Sequence, residues 1–235
     1  MSFAISVALA VAALSPASAA DLQVAPTLVS IPADRNAEGL QLRNSGQRPL
    51  YAQVRVFAWQ QVDGEDRLIE TEDVAISPPM LEISPGAEQL VRIVRMGPPP
   101  AAVEASYRVV VDELPGAARP APTRTGLNFV LRYSIPVFVG AARPTAPVLH
   151  ARIEGGIAGR SFVLDNTGTS RVQVAELAHV SPQGTRTIAD GLAGYVLPGR
   201  QRRWPLPIEA RPGPAADIRA RINGEPDARS LLPDR

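Results

Sequence analysis

Few residues in this sequence could do acid–base or metal chemistry, and they are scattered. The chain has 235 residues, no cysteine and two histidines. His150 and His179 are far apart in the sequence, and neither has a carboxylate or a second histidine at metal-ligand spacing. We interpret both as ordinary surface or edge residues. No catalytic residue, metal site or cofactor is therefore expected.

Other catalytic signatures are also missing. All 24 basic residues are arginine, so no lysine can serve a Ser-Lys dyad or a phosphate-binding loop, and no Gly-x-Ser-x-Gly occurs. The acidic run Asp63-Gly-Glu-Asp66 lacks the alternating ligands and closing glutamate of a calcium loop, so we interpret it as a hairpin turn. The sequence favours binding over catalysis, and this protein is predicted not to be an enzyme.

Composition favours an all-β protein, and the N-terminal segment indicates export. The 24 basic residues are balanced by 23 acidic ones, which argues against a nucleic-acid surface, and 24 prolines with 18 glycines favour short strands over long helices. Residues 1–19 form an apolar run that ends in Ala17-Ser18-Ala19, as a secretory signal peptide does, although no basic residue precedes the run. We therefore expect an exported protein.

The strongest strand signal is LNFVLRYSIPVFV at residues 127–139. Every odd position is apolar, as in a half-buried strand. Pro136 cannot donate to a ladder, so it places this strand at the edge of a sheet. A long apolar edge is an aggregation hazard unless something covers it.

One strand–turn–strand pattern occurs twice. Residues 40–56 (LQLRNSGQRPLYAQVRV) are echoed by residues 162–177 (FVLDNTGTSRVQVAEL). Asn-Ser-Gly and Asn-Thr-Gly are interpreted as tight turns, because Asn and Gly tolerate a positive φ.

A second pair of segments repeats in the same order, ISPGAEQLVRIV at 83–94 and VLPGRQRRWPLPI at 196–208. In both, Pro-Gly introduces a strand. Two repeated motifs in one order predict two β-sandwich domains of similar plan.

The domain boundary is expected where proline and glycine are too dense for a sheet. We assign residues 21–140 to the first domain, residues 141–147 to an interdomain elbow and residues 148–235 to the second domain. A second irregular stretch, residues 115–123, is predicted to be a mobile loop.

The order of these features resembles the PapD-like periplasmic chaperones of the chaperone-usher pathway. The residues that carry the resemblance are LQLRNSG, the segments at 78–95 and 104–115, and the alternating strand that ends in Ser134-Ile-Pro-Val-Phe. Trp59-Gln-Gln and this last ending resemble the Csu-type branch. The resemblance implies two immunoglobulin-like domains in an L shape. It also implies a chaperone that works without ATP and has pilus subunits and an outer-membrane usher as partners.

The resemblance also implies which residues bind. In this family the last strand of the first domain, here residues 125–139, is lent to an incomplete subunit. The donor side chains would be Leu127, Phe129, Leu131 and Tyr133. Relatives hold the subunit carboxylate with an arginine on the first strand and a lysine on the donor strand.

The carboxylate anchor departs from the family pattern. The first strand (residues 22–31) has no arginine, and the donor-strand position is Ser134. Arg132, or Arg92 on a segment expected to be a neighbouring strand, could replace the missing pair. Alternatively, both arginines are solvated or pair with Glu104 or Asp112.

Two other interpretations remain open. The protein could be an exported adhesive or carbohydrate-binding module, although aromatic residues make up only 5% of the chain. The apolar edge could also be covered from within, in part by residues 22–31, or by self-association of the free protein.

Overall fold

A computed structural model describes residues 21–115, 130–156, 159–207 and 216–232, and these residues form strands joined by turns. No helix in that part of the chain could cross a membrane. The first ten strands are β1 (Leu22–Ala25), β2 (Val29–Ile31), β3 (Ala37–Asn44), β4 (Leu50–Val62), β5 (Glu65–Glu70), β6 (Val74–Ser77), β7 (Met80–Ile83), β8 (Glu88–Arg95), β9 (Ala105–Leu114) and β10 (Arg132–Val139).

Seven strands follow a stretch without regular structure. They are β11 (Leu149–Gly156), β12 (Gly159–Asn166), β13 (Val172–Ser181), β14 (Gly184–Val196), β15 (Arg200–Pro205), β16 (Asp217–Ile222) and β17 (Arg229–Ser230). The predicted signal peptide and loop (residues 1–19 and 115–123) lie outside the described residues, apart from Pro115.

The first ten strands form one sandwich. One sheet has the order β1-β3-β8-β6, and the other has the order β2-β10-β9-β4-β5 with β7 beside β4. Alternate residues of both sheets fill the space between them, and the fully buried members include Leu22, Ile31, Leu40, Leu42 and Ile93. The predicted first strand is in fact two, because β1 and β2 belong to different sheets.

The last seven strands form a second sandwich with its own core. Its sheets have the orders β11-β12-β15 and β14-β13-β16-β17. Phe162, Leu164, Leu177, Ile218 and Ile222 are its largest fully buried side chains. The prediction of an all-β protein with two immunoglobulin-like sandwiches is confirmed, whereas the residue boundaries of the domains and elbow stay a prediction.

The repeated Asn-Ser/Thr-Gly motif has the same structure in both sandwiches. Asn44 Nδ2 donates to the carbonyls of Arg48 (2.7 Å) and Ile83 (2.9 Å). Asn166 Nδ2 donates in the same way to the carbonyls of Ser170 (2.8 Å) and Val196 (3.2 Å). Each asparagine side chain therefore ties its own turn to the second repeated segment of its domain.

The predicted reason for these turns is wrong. Neither Asn44, Asn166 nor the glycine two residues later has a positive φ. The strands on either side do not pair with each other, because β3 and β4 lie in opposite sheets, as do β12 and β13. The motif crosses between sheets, and its buried asparagine satisfies backbone groups at the crossing.

Another segment comes close to the glycine of each motif, and at Gly168 the neighbouring atoms are backbone, so a side chain has no room there. A Cβ on Gly168 would lie 2.6 Å from the carbonyl oxygen of Ala146, and one on Gly46 would lie 2.5 Å from Cγ of Asp21. The predicted Pro-Gly turns do use positive φ, with 73° at Gly86 and 66° at Gly199, and each leads into a strand.

Candidate functional site

Strand β10 divides its residues between two environments. Ile135, Val137 and Val139 are buried in the core of the first sandwich, and Tyr133 is half-buried against that core. Arg132 and Ser134 alternate with them and are exposed. The predicted apolar face of residues 135–139, formed by Ile135, Val137 and Val139, therefore packs in the core of its own domain.

The predicted donor side chains are only partly described. Leu131 is half-buried against the same core as Tyr133, while Leu127 and Phe129 lie outside the described residues. The Tyr133 hydroxyl donates to the carbonyl of Leu22 at 2.6 Å. Leu131 and Tyr133 therefore serve the first sandwich itself, which the sequence prediction did not include.

One edge of β10 is open along most of the strand. The opposite edge pairs with β9 from Arg132 to Val139. On the open edge, β2 pairs only with Val137, Phe138 and Val139. The proposal that residues 22–31 cover the edge in part is thus confirmed for the last three residues. Among the described residues, no strand pairs with residues 132–136 on that side.

The register shows which backbone groups face the open edge. The N–H of Glu113 donates to the carbonyl of its opposite residue Leu131 at 2.9 Å, so the odd residues of β10 bond to β9. The N–H of Gly140 points the other way and donates to Ile31 at 2.9 Å. The N–H groups of Arg132 and Ser134 therefore face the open edge, and Pro136 lies where its missing N–H costs no ladder bond.

Arg132 is engaged by a carboxylate. Its Nε donates to Asp112, and Nη2 of Arg55 donates to the same carboxylate at 2.7 Å. Burial alone would raise the pKa of Asp112, but the hydrogen bonds and charges of the two arginines outweigh it, so this pKa lies below its usual value. The alternative in which Arg132 pairs with Asp112 is thus the one that the structure shows.

Arg92 is not beside β10. It lies on β8 between Gly39 and Ser77, in the other sheet of the sandwich, and its side chain is exposed. The expectation of a neighbouring strand is wrong, because β9 and the short β2 are the neighbours of β10.

Arg108, which was not predicted from the sequence as a site residue, lies on β9 opposite Pro136. Its Nη1 donates to the carbonyl of Ser134 at 3.3 Å, and its guanidinium carbon lies 3.8 Å from the ring centroid of Trp59. It forms no salt bridge with a described carboxylate. Burial lowers the pKa of this guanidinium. A basic residue within the apolar run YRVVV was the signal that could have identified it.

The end of β10 reaches the second sandwich. Phe138 packs with Trp59, Tyr195, Leu197 and Leu28 in a cluster between the sandwiches.

An ion pair lies beside that cluster. Arg171 donates to Glu104 at 2.5 Å, and its guanidinium carbon lies 3.8 Å from the Phe138 ring centroid. Burial raises the pKa of Glu104 against the opposing effect of Arg171. Glu104 thus serves the interface between the sandwiches.

The histidines differ from each other. His150 is exposed, as expected, but His179 is 2% exposed and neither ring nitrogen has a partner among the described residues. The surface or edge prediction is wrong for His179, because alternation places it on the same face as the buried Leu177. The described residues contain no group of three or more acidic or histidine side chains that could hold a metal ion.

Comparison with known families gives one match. Residues 21–146 match the family described as pili and flagellar-assembly chaperone, PapD N-terminal domain, which is more than half of the 235-residue chain. No curated protein sequence matches the chain.

Solved structures of similar fold include pilus chaperones. The CsuC chaperone of Acinetobacter baumannii, solved with the tip subunit CsuE of archaic Csu pili, is 23% identical over 90% of this chain and 97% of its own, with a TM-score of 0.71. The SafB chaperone of Salmonella enterica, solved with the SafA pilin, is 18% identical over 92% and 98%, with a TM-score of 0.67. The CupB2 chaperone of Pseudomonas aeruginosa is 14% identical over 90% and 100%, with a TM-score of 0.61.

Proposed function

This chain belongs to the family of PapD-like pilus chaperones, which act in pilus assembly without enzymatic chemistry, and from that premise we propose that it holds pilus subunits by donor-strand complementation. The donor is the segment 125–139. It completes a subunit that lacks one strand, and an outer-membrane usher then receives the subunit. The protein works in the periplasm after export by its N-terminal signal.

The open edge of β10 carries this proposal. Backbone groups of Arg132 and Ser134 face a side that no described strand occupies, although β2 covers the adjoining residues. An added strand gains main-chain hydrogen bonds along such an edge, and alternate side chains provide further contacts. An adhesive or carbohydrate-binding module gains nothing from this feature.

The side chains that enter the subunit are Leu127 and Phe129. Burial of each contributes about 1.5–3 kcal/mol before the cost of ordering the segment. Leu131 and Tyr133 contribute less than the sequence suggested, since both already pack against the first sandwich. In the free protein, pairing of two copies through the same edge would cover it.

The subunit carboxylate is bound by Arg108 or Arg132. Arg108 lies at Ser134, the donor-strand position where relatives carry a cation, and it forms no salt bridge with a described carboxylate, although the more distant charge of Asp66 acts on it. Arg132 is already neutralised in part by Asp112. We therefore place Arg108 before Arg132, and Arg92 last because it lies in the other sheet.

Native mass spectrometry of the protein purified from its own periplasm tests the proposal. Wild type is expected to carry one pilus subunit, and a Leu127→Glu, Phe129→Glu variant is expected to lose it. The matched control is Asn128→Glu, Val130→Glu, which adds the same charges at the alternate positions of the proposed donor segment. A folded first variant that keeps its subunit, or equal loss in the control, would contradict donor-strand binding.

The anchor is tested in the same way with single variants. Arg108→Gln is expected to lower the bound fraction at least tenfold, and Arg132→Gln is expected to lower it less than threefold. The reverse order would assign the anchor to Arg132.

A further inference from the structure

Gln61 joins the two sandwiches through a buried amide. It lies near the end of β4 in the first sandwich and is 2% exposed. Its Nε2 donates to the carbonyl of Tyr195 at 2.8 Å, and its Oε1 accepts from the N–H of Leu197 at 3.0 Å. Both partners belong to the second sandwich or to the turn that follows β14.

The hydrogen-bonding capacity of this amide is well used. The second Nε2 hydrogen has an acceptor in Asp66, whose Oδ1 lies 3.0 Å away. Two donations and one acceptance fix the orientation of the amide, because a flipped amide would face Leu197 with a donor. A glutamate, a leucine or a shorter asparagine could not make the same set of bonds.

The geometry imitates a strand. Bonding to the carbonyl of residue 195 and the N–H of residue 197 is how one residue of a parallel strand, through its own N–H and C=O, bonds to the residues on either side of its neighbour. The segment is also held from within the second sandwich, since Asn166 donates to Val196 at 3.2 Å. In the first sandwich the equivalent Ile83 is held by Asn44.

The surroundings make these bonds strong and specific. Trp59, Phe138 and Tyr195 pack against one another in the same contact between the sandwiches, with ring centroids 5.4–5.9 Å apart. Hydrogen bonds are stronger in such a low-dielectric environment, and leaving either backbone group unpaired there is costly. Near the surface, Arg202 lies 3.4 Å from Asp66 and adds a weak ion pair.

We propose that Gln61 is the positioning residue that fixes the second sandwich relative to the first. Without its amide, the carbonyl of Tyr195 and the N–H of Leu197 lose their partners and must be hydrated. The two sandwiches then reorient while each stays folded around its own core. Because Phe138 of β10 lies in the same contact, Gln61 also sets where the second sandwich lies relative to the open edge. This inference does not depend on what binds there.

Distance measurements between two spin labels test the proposal. The chain has no cysteine, so Gln41→Cys on β3 and Thr187→Cys on β14 place one label on an exposed residue of each sandwich. We expect Gln61→Met to widen the distance distribution at least twofold, with the circular dichroism spectrum unchanged. The matched control is Gln60→Met, the exposed neighbour on the other face of β4, which should leave the width unchanged.

An unchanged width in folded Gln61→Met, or equal widening in Gln60→Met, would overturn the proposal. If Gln61→Met does not fold, the distance distribution is measured in Gln61→Glu instead, because glutamate keeps the acceptor for Leu197 and loses the donor to Tyr195. Widening in that variant supports the role of Gln61, and the wild-type width refutes it.

Discussion

Asp112 shows how a charged residue on a sheet face can be held without being a binding site. Its side chain is 12% exposed and accepts from Arg55 and Arg132, whose side chains are 44% and 67% exposed. Water screens the two arginines, so the cluster contributes modestly to stability. From the sequence, Arg132 could be assigned either to a ligand or to Asp112, since both assignments place it on the same face of β10.

We expect Asp112→Asn to destabilise the protein by about 1 kcal/mol at neutral pH. Because the pKa of Asp112 is below its usual value of 3.8 in the folded protein, this contribution is present above pH 3.8 and is lost as the pH falls through the folded pKa. Urea unfolding of wild type and variant at pH 7 and pH 3 measures the difference. A difference that grows on acidification would contradict the assignment.

Asn44 and Asn166 show what a repeated sequence can and cannot reveal. The repeat predicted two domains of one plan, and both asparagines occupy the same position in them. It did not reveal their role, because a buried side chain that bonds to a distant carbonyl leaves the same local pattern as a tight turn.

Replacing either asparagine by alanine should destabilise its own sandwich by about 2–4 kcal/mol, since two carbonyls lose their partner and so does the N–H of the glycine two residues later, which donates to the asparagine Oδ1. Asn44→Ala and Asn166→Ala are compared in urea, with the exposed Thr167→Ala as the control. Costs below about 0.5 kcal/mol would mean that water replaces the side chain.

At the level of elements, β10 combines two functions that alternation cannot separate. The sequence predicted an edge strand with one apolar face, and Pro136 indicated the edge. Only the structure shows that Ile135, Val137 and Val139 face their own core, while the backbone of Arg132 and Ser134 faces the open side. Side-chain periodicity reports faces, whereas the free backbone groups lie in the plane of the sheet.

Ser134→Pro separates the two functions. Its N–H takes no part in the ladder with β9, so the first sandwich should keep its fold, as it does with Pro136 two residues later. An added strand would lose one hydrogen bond, and we expect subunit affinity to fall about tenfold. The control is Val110→Pro on β9, which lies opposite Ser134 and whose N–H faces β4 inside the sheet, so it should destabilise the sandwich itself. Unchanged affinity with Ser134→Pro would place the subunit elsewhere.

For the whole molecule, composition and repeats were enough to predict two β-sandwiches, but the contacts between them were not predictable. Gln61 with Tyr195, and Glu104 with Arg171, are pairs of residues far apart in the sequence. No period or spacing connects them. They depend on how one finished sandwich lies against the other.

Arg171→Leu should destabilise the protein by about 3 kcal/mol at neutral pH, because it leaves Glu104 buried without its cation. Burial already raises the pKa of Glu104 above its usual value of 4.5, so the unpaired carboxyl takes up a proton readily and the cost should shrink as the pH falls. Urea unfolding at pH 7 and pH 5 measures this, with the exposed Arg186→Leu as control. A cost independent of pH would exclude Glu104 as the cause.

Strand addition at the open edge of β10 is tested most directly by residue-resolved amide hydrogen exchange, measured by NMR on the free protein and on its complex with the co-purifying pilus subunit. Arg132 and Ser134 should exchange at least tenfold more slowly in the complex. Tyr133 and Ile135, whose N–H groups already bond to β9, should be protected in both states. If a complex forms and the amides of Arg132 and Ser134 exchange as fast as before, this edge does not bind the subunit and donor-strand complementation by β10 is refuted.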